Sequence, residues 1–309
     1  MKNFRRQTRA YITGRYTVWS LRISVLVLCM LIAGCAELPD LSVGGVDVGD
    51  VFEVGKAVKD IAKSFQDITP EEEYYLGRAV GATIVAQYKP YNNQEANYYL
   101  NLLGQILAQA SDMPETFGGY HFLILDSDEI NAFAAPGGLI FVTRGLLRCA
   151  KHEDALAAVL AHEIGHVQHK HGLQSIKKSR LSSALTTIAI KGIEAKTEGS
   201  LATLAGIFQD SITDITTTMV NNGYSRSFER EADKASVTIL QRVGYDPNGL
   251  IDILRIMEER LDPNGKDFAK THPSPASRIA DIQEFIGDYV EVKTPEARQS
   301  RFEVALGSI

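Results

Sequence analysis

The spacing of hydrophobic residues separates a short strand-forming region from a chain that is otherwise largely helical. Apolar residues at helical spacing, together with helix-capping residues, predict helices over 70–88, 94–110, 153–170, 226–243, 247–261 and 275–289. Short apolar runs bounded by turn residues predict strands over 120–125, 130–135 and 139–143. This order of elements predicts an α+β fold that is mostly helical and contains one small β-sheet.

Three local features of this pattern lead to specific expectations. Thr69 stands before Pro70 and a run of acidic residues, which is typical of the start of a helix. The strand over 139–143 comes just before the helix over 153–170, and we expect it at an edge of the sheet, where it could pair with an extended peptide. An ordinary buried hairpin is the alternative. In the helix over 94–110, helical spacing predicts an apolar face made of Tyr98, Leu102, Leu103, Ile106 and Leu107.

The segment His162-Glu163-Ile164-Gly165-His166 has the form HExxH. Residues four apart on a helix lie about 40° apart around its axis, so His162 and His166 project from one face. Their ring nitrogens can meet on one zinc ion, and Glu163 can reach a water bound to that ion. One turn of helix thus supplies two ligands and a general base. Because so short a string also arises by chance, the prediction needs support elsewhere in the chain.

The first 34 residues carry several Lys and Arg residues and no acidic residue, and they end in an apolar run over 23–33. This run is shorter than the ~20 residues that span a bilayer, so the pattern indicates a secretory signal peptide over 1–34. The end of this run and the two residues after it, Ile32-Ala33-Gly34-Cys35, resemble a bacterial lipobox, where cleavage leaves a Cys that carries lipid. An uncleaved membrane anchor is the alternative. Because Ala36 follows, the resemblance implies sorting to the outer membrane, with the protein facing the periplasm.

The composition of the chain and the distribution of its charged residues bear on the protein class and on the division of residues 35–309 into domains. Hydrophobic residues make up 45% and charged residues 23% of the chain, as in an ordinary globular protein, and the net charge of −6 excludes a basic nucleic-acid-binding protein. Residues 35–68 are predicted to be the lipidated N-terminus and a tether, 69–290 the folded domain, and the charged residues 291–309 a loose C-terminal tail.

A catalytic zinc usually takes three protein ligands, so the HExxH helix needs a third. His169 and His171 are near in sequence, but a third ligand from the same straight helix closes a tetrahedron poorly, and both are interpreted mainly as solvated histidines at the helix end. Glu229 and Asp233 share a face of a later helix and could supply a ligand and a carboxylate that orients a ligand imidazole. Glu231 lies about 200° around the axis from Glu229 and points elsewhere. Such an acidic run is also typical of a solvated helix surface.

Four segments together resemble the HtpX, BepA and LoiP group of zinc metallopeptidases, whose motif is shared by CAAX prenyl proteases and the mitochondrial Oma-type protease. In chain order they are residues 131–138, 162–166, 224–233 and 271–273, and the resemblance covers about 70–290. It implies a zincin-like peptidase domain over 69–290. The tetratricopeptide repeats of larger relatives and the transmembrane helices of HtpX are not expected in this sequence.

The resemblance also implies roles for individual residues. In this group the third ligand is the Glu of a Glu-x-x-x-Asp pair; only Glu229 has an Asp four residues later, so Glu229 is implied as the ligand and Asp233 as a catalytic supporting residue. His272 matches a loop His that in some bacterial members reaches the metal as a reversible plug, and a purely structural loop His is the alternative.

These features predict a zinc metalloendopeptidase of the bacterial envelope that cuts misfolded or unassembled envelope proteins. One Zn²⁺ per chain would be held by His162, His166 and Glu229, with Glu163 as general base. A periplasmic chaperone or assembly factor for outer-membrane proteins is the alternative, with proteolysis secondary. A structural zinc site closed by His272 is a further alternative.

Overall fold

The computed structural model describes residues 42–43, 46–47, 68–176, 180, 206–260, 272, 275–289 and 296–309. The chain divides into two compact units between Lys59 and Asp60. In the first unit, strands β1 (Ser42–Val43) and β2 (Val46–Asp47) pair antiparallel within the predicted tether. The predicted signal peptide and the predicted lipidation site, Cys35, lie outside the described residues.

The second unit contains the helices that the sequence predicts and several short ones. They are α1 Pro70–Gln87, α2 Gln94–Gln109, α3 Arg144–Leu147, α4 Glu153–Gln168, α5 His171–Gln174, α6 Gln209–Thr217, α7 Arg226–Val243, α8 Asn248–Arg260, α9 Pro275–Ile286 and α10 Glu296–Leu306. The predicted start of α1 is confirmed, since the Thr69 hydroxyl accepts from the Glu72 amide while the Glu72 carboxylate accepts from the Thr69 amide. Among the described residues, no helix combines the length and apolar content needed to cross a bilayer.

The strands β3 (His121–Leu125), β4 (Ala132–Ala135) and β5 (Leu139–Thr143) form one sheet in the order β3-β5-β4. β5 runs parallel to β3 and antiparallel to β4. The α+β class is therefore confirmed, but the strand that directly precedes the metal-motif helix is central and not at an edge. The turn Pro136–Gly138 folds β5 back beside β4, and the long-range parallel pairing with β3 then covers its other side.

The outer edge of β3 is covered by amide side chains from α2. Asn97 accepts from the Ile124 amide at 2.9 Å, and Asn101 both accepts from the Phe122 amide at 3.0 Å and donates to its carbonyl at 2.6 Å. These polar residues stand four apart, so a polar stripe of α2 faces the sheet and satisfies its backbone groups. The remaining strand edge in the described sheet is that of β4.

This packing corrects the predicted face of α2. Leu103 and Leu107 are buried as expected, but Tyr98, Leu102 and Ile106 are 66%, 48% and 52% exposed. Helical spacing alone identifies an apolar stripe without showing which side meets the sheet. Here the side with Gly104 does so, because the Phe122 ring lies where any larger residue would place its Cβ.

Helix α4 runs through the centre of the second unit and is buried from Glu153 to Val167. Its N-terminal Glu153 is fully buried and accepts hydrogen bonds from Tyr99 at 2.7 Å and Tyr245 at 2.6 Å. A helix that is apolar on all sides packs against neighbours in every direction, here including α2, α7 and α8. The HExxH residues are thus carried on a helix that is enclosed along nearly its whole length.

The C-terminal residues do not form the loose tail that their charges predict. Residues 296–306 form α10, in which Phe302 and Leu306 are buried against the core. Arg301 pairs with Glu153 at the start of α4, and Arg298 pairs with the buried Asp154 at 3.2 Å. The charged pattern was misleading because these arginines meet buried carboxylates that lie far away in the sequence.

We expect Arg301→Met to lower the free energy of unfolding by about 1–3 kcal/mol, because buried Glu153 loses its counter-charge. Although burial opposes ionisation, hydrogen bonds from Arg301, Tyr245 and Tyr99 hold the pKa of Glu153 below its ordinary value. A lowered pKa stabilises the fold above the ordinary pKa, and this contribution is lost as the pH falls through the lowered value. The loss of unfolding free energy in the Arg301→Met variant should therefore be largest at pH 7 and become smaller in strong acid.

Urea unfolding at several pH values measures this difference. Arg255→Met is the matched control, because Arg255 pairs with Asp252 at 3.7 Å on the exposed surface of α8 and should cost little. Equal stability of the Arg301 and Arg255 variants at pH 7 would contradict the conclusion that Arg301 stabilises the fold by pairing with Glu153.

Candidate metal centre

Helices α4 and α7 approach each other closely where their motif residues lie. A Cβ atom on Gly165 would stand 2.9 Å from the carbonyl oxygen of Ala232, so only glycine fits at this crossing. One turn further along α7, the Ser236 hydroxyl donates to the Ala158 carbonyl at 2.9 Å. This contact sets the distance between the ligands on α4 and the acidic face of α7.

Four buried side chains converge at this crossing and could hold a metal ion: His162, His166, Glu229 and His272. One potential ligand atom from each lies within 4.8 Å of the others. The Nε2 atoms of His162 and His166 are 3.1 Å apart, and each lies 3.5 Å from a carboxylate oxygen of Glu229. The structure therefore brings together the three predicted ligands, although they come from helices that are about 65 residues apart in sequence.

His272 also reaches the centre. Its Nδ1 atom lies 2.8 Å from Oε2 and 2.9 Å from Oε1 of Glu229, and its side chain is buried. The predicted regulatory residue is thus within the group of possible ligands, in contact with the predicted carboxylate ligand.

Asp233 orients His162 by contacting the ring nitrogen that faces away from Glu229. Its Oδ1 atom accepts from Nδ1 of His162 at 2.9 Å, which leaves the Nε2 lone pair of His162 directed towards Glu229. Arg278, from α9, forms a two-pronged pair with the Asp233 carboxylate at 2.9 and 2.5 Å and lies 3.4 Å from Glu229. Arg278 was not predicted from the sequence, since no motif position marks one arginine among the charged residues of that helix.

The second histidine has its own supporting residue, which was predicted to lie in solvent. His171 is fully buried, and its Nδ1 atom lies 2.8 Å from Nδ1 of His166. On its other side, Nε2 of His171 lies 3.0 Å from a carboxylate oxygen of Glu231. His169, by contrast, is only partly buried and contacts Gln168. The interpretation of His171 as solvated is wrong because the chain turns back after α4.

The electrostatics of the centre favour the metal-binding protonation states of Glu229 and His166. Although burial opposes ionisation, His272, His162 and Arg278 hold the pKa of Glu229 well below its ordinary value. Burial lowers the pKa of His166 well below its usual range, so its imidazole is neutral at pH 7. A carboxylate and a neutral imidazole are the forms in which these side chains act as metal ligands. His162 differs: although burial opposes its charged form, hydrogen bonds to Asp233 and Glu229 raise its pKa to about 9, so its ring would have to release a proton when a cation binds.

Two buried polar atoms at the centre have no hydrogen-bond partner among the described residues: Oε1 of Glu163 and the hydroxyl of Tyr224. Burial raises the pKa of Glu163, and the Tyr224 ring stacks on His166 with centroids 4.5 Å apart. Buried polar groups are rarely left without a partner, so such atoms fit a site that receives water or substrate. The donor set fits a divalent cation, and the carboxylate beside it fits a general base.

Comparison with known proteins agrees with this geometry. The sequence profile described as Peptidase family M48 matches residues 94–286, a range that includes all four convergent side chains. The chain is 28% identical over 256 residues to the beta-barrel assembly-enhancing protease of Escherichia coli (strain K12), which covers 80% of this chain and 46% of that protein. A protein of the same name from Yersinia pestis is 31% identical over 196 residues, 60% of this chain and 38% of its own length.

A eukaryotic protein is similar over nearly the same extent. The mitochondrial metalloendopeptidase OMA1 of Schizosaccharomyces pombe is 28% identical over 249 residues, which covers 77% of this chain and 66% of that protein. The chain spans less than half the length of the two bacterial relatives.

We expect Gly165→Ala to lower the free energy of unfolding by about 1–3 kcal/mol and to weaken metal binding, because α7 must move away from α4. Gly206→Ala is the matched control, since among the described residues no atom outside its own helix and chain neighbours lies within 4 Å of the place that its Cβ would occupy. The control should be neutral or slightly stabilising. Urea unfolding and a zinc titration measure both effects, and a Gly165 variant as stable as the control would contradict the importance of the close crossing.

Proposed function

The chain belongs to peptidase family M48, and from this premise we propose that it is a zinc-dependent metalloendopeptidase. The observation that carries the proposal is the convergence of three buried ligands beside a buried carboxylate oxygen that has no described partner. A site that only stabilised the fold would not need an unpaired carboxylate at its centre. The match to family M48 confirms the membership that the sequence motifs predicted. Cleavage of peptide bonds by this chain is the proposal built on it.

We propose that Nε2 of His162, Nε2 of His166 and the Glu229 carboxylate hold the ion. Two imidazoles and one carboxylate form a donor set typical of catalytic zinc, which leaves a further position for water or substrate. Zinc bound there supplies a Lewis acid that lowers the pKa of water and polarises the scissile carbonyl.

The protein residues move the protons. Glu163 takes the proton of the attacking water at its free Oε1 atom and passes it to the nitrogen of the leaving amine. Burial favours this role because it raises the pKa of Glu163 towards the working pH. Asp233, clamped by Arg278, keeps the proton of His162 on Nδ1, which holds that ring in one tautomer.

The substrate would bind as an extended chain along β4. Within the described residues, β5 covers one side of this strand and no strand pairs with the other, whereas the edge of β3 is covered by α2. β4 packs against α4 and is buried along its length, so the segments that cover its free edge would have to move for a peptide to bind there. Because main-chain hydrogen bonds do not depend on side-chain identity, such an edge can bind peptides of many sequences, provided that they are unfolded.

The biological role that we propose is quality control of misfolded or unassembled envelope proteins. Support comes from the bacterial relatives, whose names describe proteases that enhance β-barrel assembly. We further propose that lipid on Cys35 anchors the protein to the outer membrane with the site facing the periplasm, on the strength of the lipobox resemblance. An assembly role with proteolysis secondary is the second candidate, favoured by the same relatives' names.

We expect Glu163→Gln to reduce cleavage of casein by about 10²–10⁴-fold while one zinc per chain is retained, because the amide keeps the side-chain shape but cannot accept the proton. Glu95→Gln, on the exposed side of α2, is the control and should cleave normally. Zinc content and initial rates are measured on the same preparations. A Glu163 variant that cleaves at the wild-type rate would exclude the base role, and a zinc-loaded wild type without any cleavage would exclude the peptidase.

The same variant separates the two biological roles. If Glu163→Gln restores a normal envelope in a strain that lacks the gene, the assembly role dominates. If it fails while the wild type succeeds, proteolysis is the required activity.

We expect His272→Ala to raise the casein cleavage rate several-fold without changing the zinc content. His272 contacts Glu229 at 2.8 Å and, as a reversible fourth ligand, would compete with water for the open position. The same paired measurement of zinc and rate tests this. An unchanged rate in a folded, zinc-loaded variant would assign His272 a structural role instead.

A further inference from the structure

We propose that His171 and Glu231 form a hydrogen-bonded relay that positions the ligand His166 and strengthens metal binding. The inference rests on the proposed metal site but not on peptide cleavage. Its contacts are a 2.8 Å approach between the Nδ1 atoms of His166 and His171 and a 3.0 Å approach between Nε2 of His171 and Oε2 of Glu231. The relay thus runs from the centre to a partly exposed carboxylate on α7.

The chemistry of the two ends selects one arrangement of protons. A carboxylate accepts hydrogen bonds, so Nε2 of His171 carries the proton that it donates to Glu231. Neutral His171 then has a lone pair on Nδ1, which accepts the Nδ1 proton of His166. His166 is left with its Nε2 lone pair directed towards His162 and Glu229, the tautomer that a metal ligand needs.

A backbone break brings His171 to this position. On a continuous helix, His171 would lie about 140° around the axis from His166 and could not reach its ring. Lys170 instead has a left-handed backbone (φ 56°, ψ 34°), which ends α4 and begins α5. A left-handed conformation is unfavourable for a residue with a Cβ atom, and other contacts must offset that cost. One such contact is the pair between Nζ of Lys170 and Glu73 at 3.0 Å.

Aromatic packing holds the relay rings in place. The Phe228 ring stacks on His171 with centroids 4.3 Å apart and an 8° interplanar angle, and the Tyr224 ring stacks on His166. These contacts fix the planes of both imidazoles, so the hydrogen bonds between them are held in register. Since the Glu231 side chain is 52% exposed beside a cavity of about 340 Å³, the outer end of the relay meets solvent.

The relay gives the second histidine an anchor that parallels the one on the first. His162 is held by Asp233, and His166 is held through His171 by Glu231, so both anchors come from the helix that carries Glu229. Partners of this kind orient ligands and raise their basicity, and their loss typically weakens metal binding by about 10–100-fold.

A zinc competition titration against a chelating indicator, performed on the full chain, tests the relay. His171→Phe keeps a planar ring for Phe228 to stack on but removes the acceptor for His166, and we expect zinc affinity to fall by about 10–100-fold. His171→Asn places an oxygen near the former Nδ1 position, and we expect it to recover most of that loss. His169→Phe is the matched control: it keeps a ring that stacks on His171 but takes part in neither hydrogen bond of the relay, so the affinity should be unchanged.

Glu231→Ala provides a second variant that does not disturb the core, since this residue is half exposed. We expect a loss of up to about tenfold in zinc affinity and a changed visible spectrum of the cobalt-substituted protein. Wild-type affinity in both His171→Phe and Glu231→Ala would overturn the relay, as would equal losses in His171→Phe and His171→Asn. A protein whose zinc affinity follows the relay but which cleaves nothing would refute the proposed function and leave the relay intact.

Discussion

The close crossing of α4 and α7 is the contact on which the rest of the site depends. Each helix alone carries an incomplete set of groups: two imidazoles and a carboxylate on one, a ligand and two supporting carboxylates on the other. Gly165 lets the backbones approach until the ring nitrogens and Glu229 lie within a few ångströms of each other. A motif glycine that binds no ion therefore determines the separation of the two halves.

This crossing also concentrates charge in a dry environment, and the surrounding residues balance it. Glu229 and Asp233 are both buried, and the Arg278 guanidinium lies against both of them. Without that cation, two neighbouring carboxylates in the interior would favour protonation, and a protonated Asp233 could no longer fix the tautomer of His162. The site thus depends on a residue of α9 that is not itself one of the proposed ligands.

Much of this could be read from the sequence because local rules governed it. Helix spacing, the Thr69 cap and the HExxH register are short-range features, and the resemblance to a family with a Glu-x-x-x-Asp pair pointed to Glu229 and not Glu231 as the ligand. The errors concern contacts between distant segments. Nothing local shows that β5 lies between β3 and β4, that the amides of α2 face the sheet, or that Lys170 turns the chain so that His171 returns to the ligands. Arg278 and Arg301 were missed for the same reason, since their partners lie 45 and 148 residues away.

The pairing of Glu153 with Arg301 links the stability of α4 to the docking of α10. The carboxylate at the start of α4 meets its cation only after 148 further residues have been synthesised. A nascent chain that contained α4 and α7 but not α10 would hold an ionised carboxylate at the first turn of its central helix without that partner. Docking of α10 supplies that partner, so the stability of the helix that bears the metal motif depends on residues that are synthesised after all the residues of the centre.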